Sequence, residues 1–186
     1  MSPTSEVPGG SRFQAPDPRR VAAAWSAELD GLDVSPFLIG SAVQRVARHF
    51  ERAFVKLTRA YNLGPGEMRI LLVLGRSAPK YAVSPTELFR QLLITSGAVS
   101  KQIDRLVEIG LVTRVPDPDV LRGLLVRLEP PGKEIADAAM REICSSRYSG
   151  LEQLDQQEIE AYLGMLTRLQ RLVEESGSGA GSDADL

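Results

Sequence analysis

The apolar and polar positions of this chain change rhythm several times, and each change marks an element. Residues 1–16 show no apolar period and are rich in Ser, Pro and Gly, which predicts a disordered segment. A helical period starts at Asp17-Pro18, with an acid at the N-cap and a proline at the first helical position. The helix predicted through RRVAAAWSAEL turns Val21, Trp25 and Leu29 inward. Ser35-Pro36 repeats the start signal. In the long helix that follows, Ile39, Val43, Val46, Phe50, Phe54, Leu57 and Tyr61 recur at spacings of three and four. Arg45, Arg48, Arg52, Lys56 and Arg59 lie largely away from that face.

Leu63-Gly64-Pro65-Gly66 breaks the period, and EMRILLVLGRSA then predicts a short, buried helix. Ser84-Pro85-Thr86-Glu87 is a capping box that opens the helix ELFRQLL. Thr95 caps the next helix, SGAVSKQIDRLVEI, which stops at Gly110. Val99, Ile103, Leu106 and Val107 form its inner face. The rhythm then becomes strand-like in LVTRV and GLLVRL, separated by PDPD, and Pro130-Pro131-Gly132 ends the hairpin. KEIADAAMREICSSRYSGL reads as helix. Asp155 with Glu158 can cap a last helix that buries Ile159, Leu163, Leu166, Leu169 and Val173. SGSGAGSDADL predicts a flexible acidic tail.

The fold class expected is mainly α with a small β-hairpin. Residues 1–16 and 176–186 are tails, 17–34 an N-terminal extension helix, and 35–62 a long dimerisation or linker helix. Residues 63–130 hold helix, turn, helix and hairpin, and 131–175 two C-terminal dimerisation helices. Helix, turn, helix and hairpin in that order describe a winged helix-turn-helix, in which the second helix enters the major groove of DNA. The hairpin is the wing, which reaches the flanking backbone or the minor groove.

Charge sharpens this picture. The chain has 186 residues and a formal net charge of -2, which taken alone argues against a polyanion partner. Residues 35–130, however, hold 14 Lys/Arg against 8 Asp/Glu, and the rest hold 8 against 16. A basic middle between acidic ends fits nucleic acid; chance clustering on a solvated surface is the competing reading. The N-terminal residues lack the apolar core of a signal peptide, and the longest apolar run, Ile70–Leu74, is too short for a bilayer. A cytoplasmic location with no membrane contact is expected. A single cysteine, Cys144, and a single histidine, His49, offer no metal cluster and no disulfide. Cys144 is expected as a buried structural thiol and His49 in a packed or partly exposed structural role. Ser77-x-x-Lys80 has nucleophile spacing without companion motifs and is treated as chance. No enzyme and no cofactor is expected.

The chemistry-bearing residues fall in two places. Thr95, Ser96, Ala98, Ser100, Lys101 and Gln102 lie at the start of the second helix, where side chains reach base edges. Gln pairs with adenine, Lys with guanine, and Ala touches a thymine methyl. Arg105 is a phosphate clamp, which positions without specifying. In the wing, Arg122 can enter a narrow, strongly negative minor groove. Arg114 and Arg127 are weaker phosphate candidates.

TSGAVSKQIDRLVEIGLVTRVPDPDVLRGLLVRLEPPGKEIAD resembles the MarR family of bacterial transcription regulators. The resemblance covers about residues 35–175, and the extra helix bearing Trp25 is similar to the PecS and urate-responsive branch. It implies a homodimer on a pseudo-palindromic duplex operator, a repressor released by a small aromatic or anionic effector. It also implies a ligand pocket between the dimer helices and the reading domain, with Trp25 and Arg69 as candidate contacts. The chain departs from the pattern at three positions. Val120 stands where an aspartate orients the wing arginine, leaving Asp119 as a substitute. Arg69 stands where the urate-responsive branch has an acid, and Gln102 where it has an arginine, which argues against urate. Two other readings remain open: a winged-helix protein-interaction module, and a DNA-binding protein without ligand response.

Overall fold

The computed structural model describes residues 17–92, 96–145 and 148–179. Among them are seven α-helices and a three-stranded antiparallel sheet. The chain divides into two compact units, residues 1–52 and 53–186, with the break inside the second helix.

In the first unit, α1 (Pro18–Glu28) starts as the sequence dictates. The Arg19 N–H donates to Asp17 Oδ1 at 3.0 Å, and proline fills the first turn. The helix α2 (Ser35–Ala60) begins where the Ser35 N–H donates to Asp33 Oδ1 at 2.9 Å. That backbone bond, with a side-chain bond from Ser35, holds the Asp33 carboxyl below its ordinary pKa. The cap is therefore full above the ordinary carboxylate pKa and is lost as pH falls through the lowered one.

The inward faces expected here are not covered. Ala22 is the buried residue of α1, Val21 is half-buried, and Trp25 and Leu29 are exposed. On α2, Ile39, Val43 and Val46 are exposed and Phe50 is half-buried. A helical period fixes which side chains share a face; it does not say what covers that face.

The second unit starts with the end of α2, where Phe54 and Leu57 are buried. Asn62 at φ +54° turns the chain out of the helix. It continues through α3 (Pro65–Gly75), β1 (Ala82–Val83), α4 (Pro85–Leu92), α5 (Ser96–Glu108), β2 (Val112–Pro116), β3 (Leu124–Leu128), α6 (Pro130–Ile143) and α7 (Gln156–Gly179). Side-chain caps set the starts. The Gly64 N–H donates to Glu67 Oε2 at 2.7 Å before α3, and the Glu87 N–H to Ser84 Oγ at 3.2 Å before α4. Asp155 and Glu158 exchange bonds of 3.0 and 2.8 Å before α7.

The core gathers Met68, Ile70, Leu71 and Leu74 of α3, Leu88 of α4, and Val99, Ile103 and Leu106 of α5. Val112, Val126 and Leu128 of the sheet and Ala136 and Ala139 of α6 close it. Each large buried side chain contributes roughly 1.5–3 kcal/mol, so these faces lock α5 against α3. The helix ends at Gly110, with φ +74°.

The expected hairpin is part of a sheet ordered β1–β3–β2. Arg114 pairs with Val126 across β2–β3, and Val83 pairs with Val126 across β1–β3. Two residues, Ala82 and Val83, are too short a strand to show a period, so β1 was not foreseen.

The helix α6 starts at Pro130, inside the segment read as the end of the hairpin. Its first turn lies so close to the sheet that a Cβ on Gly132 would fall 2.2 Å from the Leu111 carbonyl oxygen. That oxygen already accepts the Glu129 N–H at 3.0 Å and has no freedom to move away. Gly132→Ala should therefore cost about 2–3 kcal/mol, as overpacking does. The check is the midpoint of urea unfolding, which should fall without a change of slope.

The helix α6 ends at Ile143, earlier than expected, and Leu151–Gln153 form a separate 3-10 turn after Gly150 at φ +73°. Cys144 sits at the end of α6 and is exposed, not buried, because the helix stops there. His49 is exposed on α2. The helix α7 runs to Gly179, so the predicted tail is helical at its start. The rest of that tail and residues 1–16 lie outside the described residues. On α7, Ile159 and Leu169 are half-buried, whereas Leu163, Leu166 and Val173 are exposed, contrary to expectation; Val173 is 64% exposed. Among the described residues no helix is long and apolar enough to cross a membrane.

Candidate nucleic-acid interface

The core contacts of α5 decide what its other side shows. With Val99, Ile103 and Leu106 inside, Gly97, Ser100, Lys101, Asp104, Arg105 and Glu108 form one exposed stripe. Their spacings are three and four, the signature of a single helix face. Ala98 is half-buried at its edge. Thr95 and the side chain of Ser96 lie outside the described residues.

Gln102 does not join the stripe. Its amide lies over the backbone of α3, so that a Cβ on Gly66 would come within 2.1 Å of Nε2. Its Oε1 is buried and has no hydrogen-bond partner among the described residues. The amide expected to meet adenine is packed against α3 in the single chain: a side chain one position beyond Lys101 is rotated about 100° around the helix, toward the core. A buried carbonyl oxygen without a donor costs about 1–3 kcal/mol. Gln102→Met keeps the length and removes that oxygen. It should raise the urea midpoint and leave duplex preference unchanged; an altered preference would return Gln102 to the reading surface.

The cations divide into paired and unpaired groups. Arg105 lies 2.9 Å from Glu108, one turn along the same exposed face. Arg114 on β2 reaches across to Asp104 on α5 at 2.5 Å, a link between wing and helix that no sequence period contains. Arg127 is 3.6 Å from Glu129. These pairs are solvent-exposed, worth about 0–1 kcal/mol each, and can exchange a carboxylate for a phosphate. Among the described residues, Lys101 and Arg122 make no ion pair or hydrogen bond through their side chains.

The wing tip is a tight turn between β2 and β3. The Asp117 N–H donates to the Gly123 carbonyl at 2.9 Å, and the Gly123 N–H to the Val120 carbonyl at 2.8 Å. Asp119 donates its N–H to Asp117 Oδ1 at 2.9 Å. Arg122 holds φ +60°, the left-handed bend that returns the chain to β3. Asp119 does not bond the Arg122 side chain here, so the expected substitution for an orienting aspartate is not made.

The two candidate effector contacts fall in different units. Trp25, on α1, is 50% exposed. Arg69, on α3, lies with its guanidinium 4.8 Å from the centre of the Phe54 ring, a cation–π stack inside the second unit. Gly97, Asp104 and Glu108 also lie on this exposed face and were not among the expected contacts. The helical spacing of Gly97, Lys101, Asp104 and Glu108 was the available signal for them.

A helix packed by its apolar side, an exposed polar stripe opposite, and a sheet-borne turn beside it define a winged helix-turn-helix. Residues 61–123 match the model of the MarR family. The regulator PecS of Dickeya dadantii is 26% identical over 151 residues, 81% of this chain and 91% of its own. A MarR family regulator from Streptomyces coelicolor superposes with a TM-score of 0.63 at 22% identity, covering 77% of this chain and 98% of its own. A cysteine-to-serine mutant of Escherichia coli MarR, complexed with operator DNA, gives 0.61 at 23% identity, covering 75% and 99%. Residues 61–123 of this chain are thus similar to the MarR family, and its fold is shared with these solved structures.

Proposed function

We propose that this chain is a cytoplasmic transcription regulator that binds duplex DNA by sequence, as a homodimer on a pseudo-palindromic operator. The observation that carries the reading is the stripe Gly97, Ser100, Lys101, Asp104 and Arg105 on α5, held rigid by its buried face and flanked by Arg122 on the wing. Lys101 and Ser100 are the base-reading side chains, and Arg105 and Arg114 are phosphate contacts that leave their carboxylate partners. The MarR structure with operator DNA supports the mode of binding.

The dimer is supported by uncovered apolar faces. Tyr162, Leu163, Leu166 and Val173 share one exposed side of α7, and Ile39, Val43 and Val46 one side of α2. Apolar faces of this kind on a soluble chain are interaction surfaces. A dimer places two α5 helices about one DNA turn apart, roughly 34–36 Å. The regulator acts as a repressor released by a small aromatic or anionic effector. Such a ligand shifts the protein only if it prefers one spacing of the two helices. The exposed indole of Trp25 supports an aromatic effector.

The test is selection of duplexes from a randomised pool by the full chain, followed by titration of the winning duplex across salt. The phosphate contacts Arg105 and Arg114, two in each of two subunits, set a slope of log K on log salt of at least about -3.6. Failure to enrich any sequence, or a slope near zero, would remove the reading.

A further inference from the structure

The wing tip carries a side chain that its fold does not use. Leu121 is 95% exposed, and its neighbour Val120 is 56% exposed. The turn is closed by its own backbone bonds, Asp117 to Gly123 and Gly123 to Val120, so no rearrangement inside the turn is needed to display it. Leu121 also directly precedes Arg122, whose left-handed backbone fixes the direction of the tip.

Charge makes the leucine more informative. The tip holds two carboxylates, Asp117 and Asp119, and one guanidinium, Arg122. A turn with that balance gains little from general attraction to phosphates. What it offers instead is one cation beside an apolar knob. The minor groove accepts that combination: its potential attracts arginine, and apolar side chains wedge against its walls or between base steps.

We infer that Leu121 is an apolar minor-groove contact of this protein, a wedge at the wing tip that fixes where on a duplex Arg122 sits. The inference rests on the DNA-binding reading above and adds a residue and a mode of contact to it. Neighbouring Cα atoms are about 3.8 Å apart, less than the roughly 6 Å width of the minor groove. A groove that admits Arg122 therefore meets Leu121 at its mouth. Leu121 shapes sequence preference through groove width and step flexibility, not through hydrogen bonds, and its contribution is nearly independent of salt.

The experiment uses the full chain and the duplex it enriches from a randomised pool. Leu121→Ala should weaken binding at least about tenfold, ~1.4 kcal/mol, with the salt slope unchanged. Arg122→Ala should weaken it and flatten the slope by about 1.8, one cation in each of two subunits. Leu121→Met should restore most of the affinity, because it keeps an apolar group of similar size. Equal affinity of Leu121→Ala and the parent on the enriched duplex would overturn the inference while leaving the DNA-binding reading intact. So would a loss that travels with a flattened slope, or a Leu121→Ala chain whose defect is in self-association measured by sedimentation. If the parent chain enriches no duplex, the DNA-binding reading fails and takes this inference with it.

Discussion

A full-length chain carrying Leu163→Glu and Leu166→Glu should sediment as a monomer at concentrations where the parent is a dimer. Both leucines are more than half exposed on α7, at helical spacing with Ile159 and Val173. Burying one such side chain contributes roughly 1.5–3 kcal/mol. A two-fold interface uses each residue twice. Two leucines from two chains, replaced by carboxylates that resist burial, should raise the dimer dissociation constant by three orders of magnitude or more. Because the leucines are exposed in the single chain, the helical content of the variant should match the parent. The double substitution should also abolish tight binding to a two-half-site duplex while leaving weak, salt-sensitive binding. Unchanged sedimentation would place the interface elsewhere, with α2 the next surface to test.

Lys101→Ala should lower affinity for the preferred duplex on the order of a hundredfold. A good base contact contributes about 1–3 kcal/mol, and a dimer makes it twice. Lys101 is exposed in the first two turns of α5 and makes no ion pair among the described residues. No carboxylate has to be displaced before it meets DNA, in contrast to Arg105 and Arg114. The measurement is fluorescence anisotropy with the preferred duplex and with a scrambled one. Discrimination between the two should shrink. If affinity for both falls by the same factor, Lys101 contacts phosphate, and base reading passes to Ser100 and the exposed backbone at Gly97.

What the sequence disclosed was local. Start and stop signals are short-range chemistry, so Asp17-Pro18, Ser84 and Asp155 with Glu158 located helix ends that the structure repeats. The order of helices and hairpin followed from the change of period near Gly110. What it did not disclose was tertiary. The same spacing that groups Val99, Ile103 and Leu106 groups Leu163, Leu166 and Val173, yet only the first set is covered within one chain. Gln102 looked like a base reader because its position early in the helix was right. Its rotation about the axis, toward Gly66, depends on where α3 lies. The Arg114–Asp104 pair joins strand to helix across the fold and leaves no periodic trace. On the wing, the missing aspartate at Val120 was legible. That the turn holds together through its backbone, and leaves Leu121 in water, was not.

The measurement that bears most directly on the central claim is a hydroxyl-radical footprint of the full chain on its selected duplex. A dimer of winged helices predicts two protected half-sites related by a two-fold axis. Their centres should lie about 10–10.5 base pairs apart or a multiple of that, each flanked by a protected minor-groove segment where a wing lies. A single asymmetric protected patch, or uniform protection independent of sequence, would contradict the account.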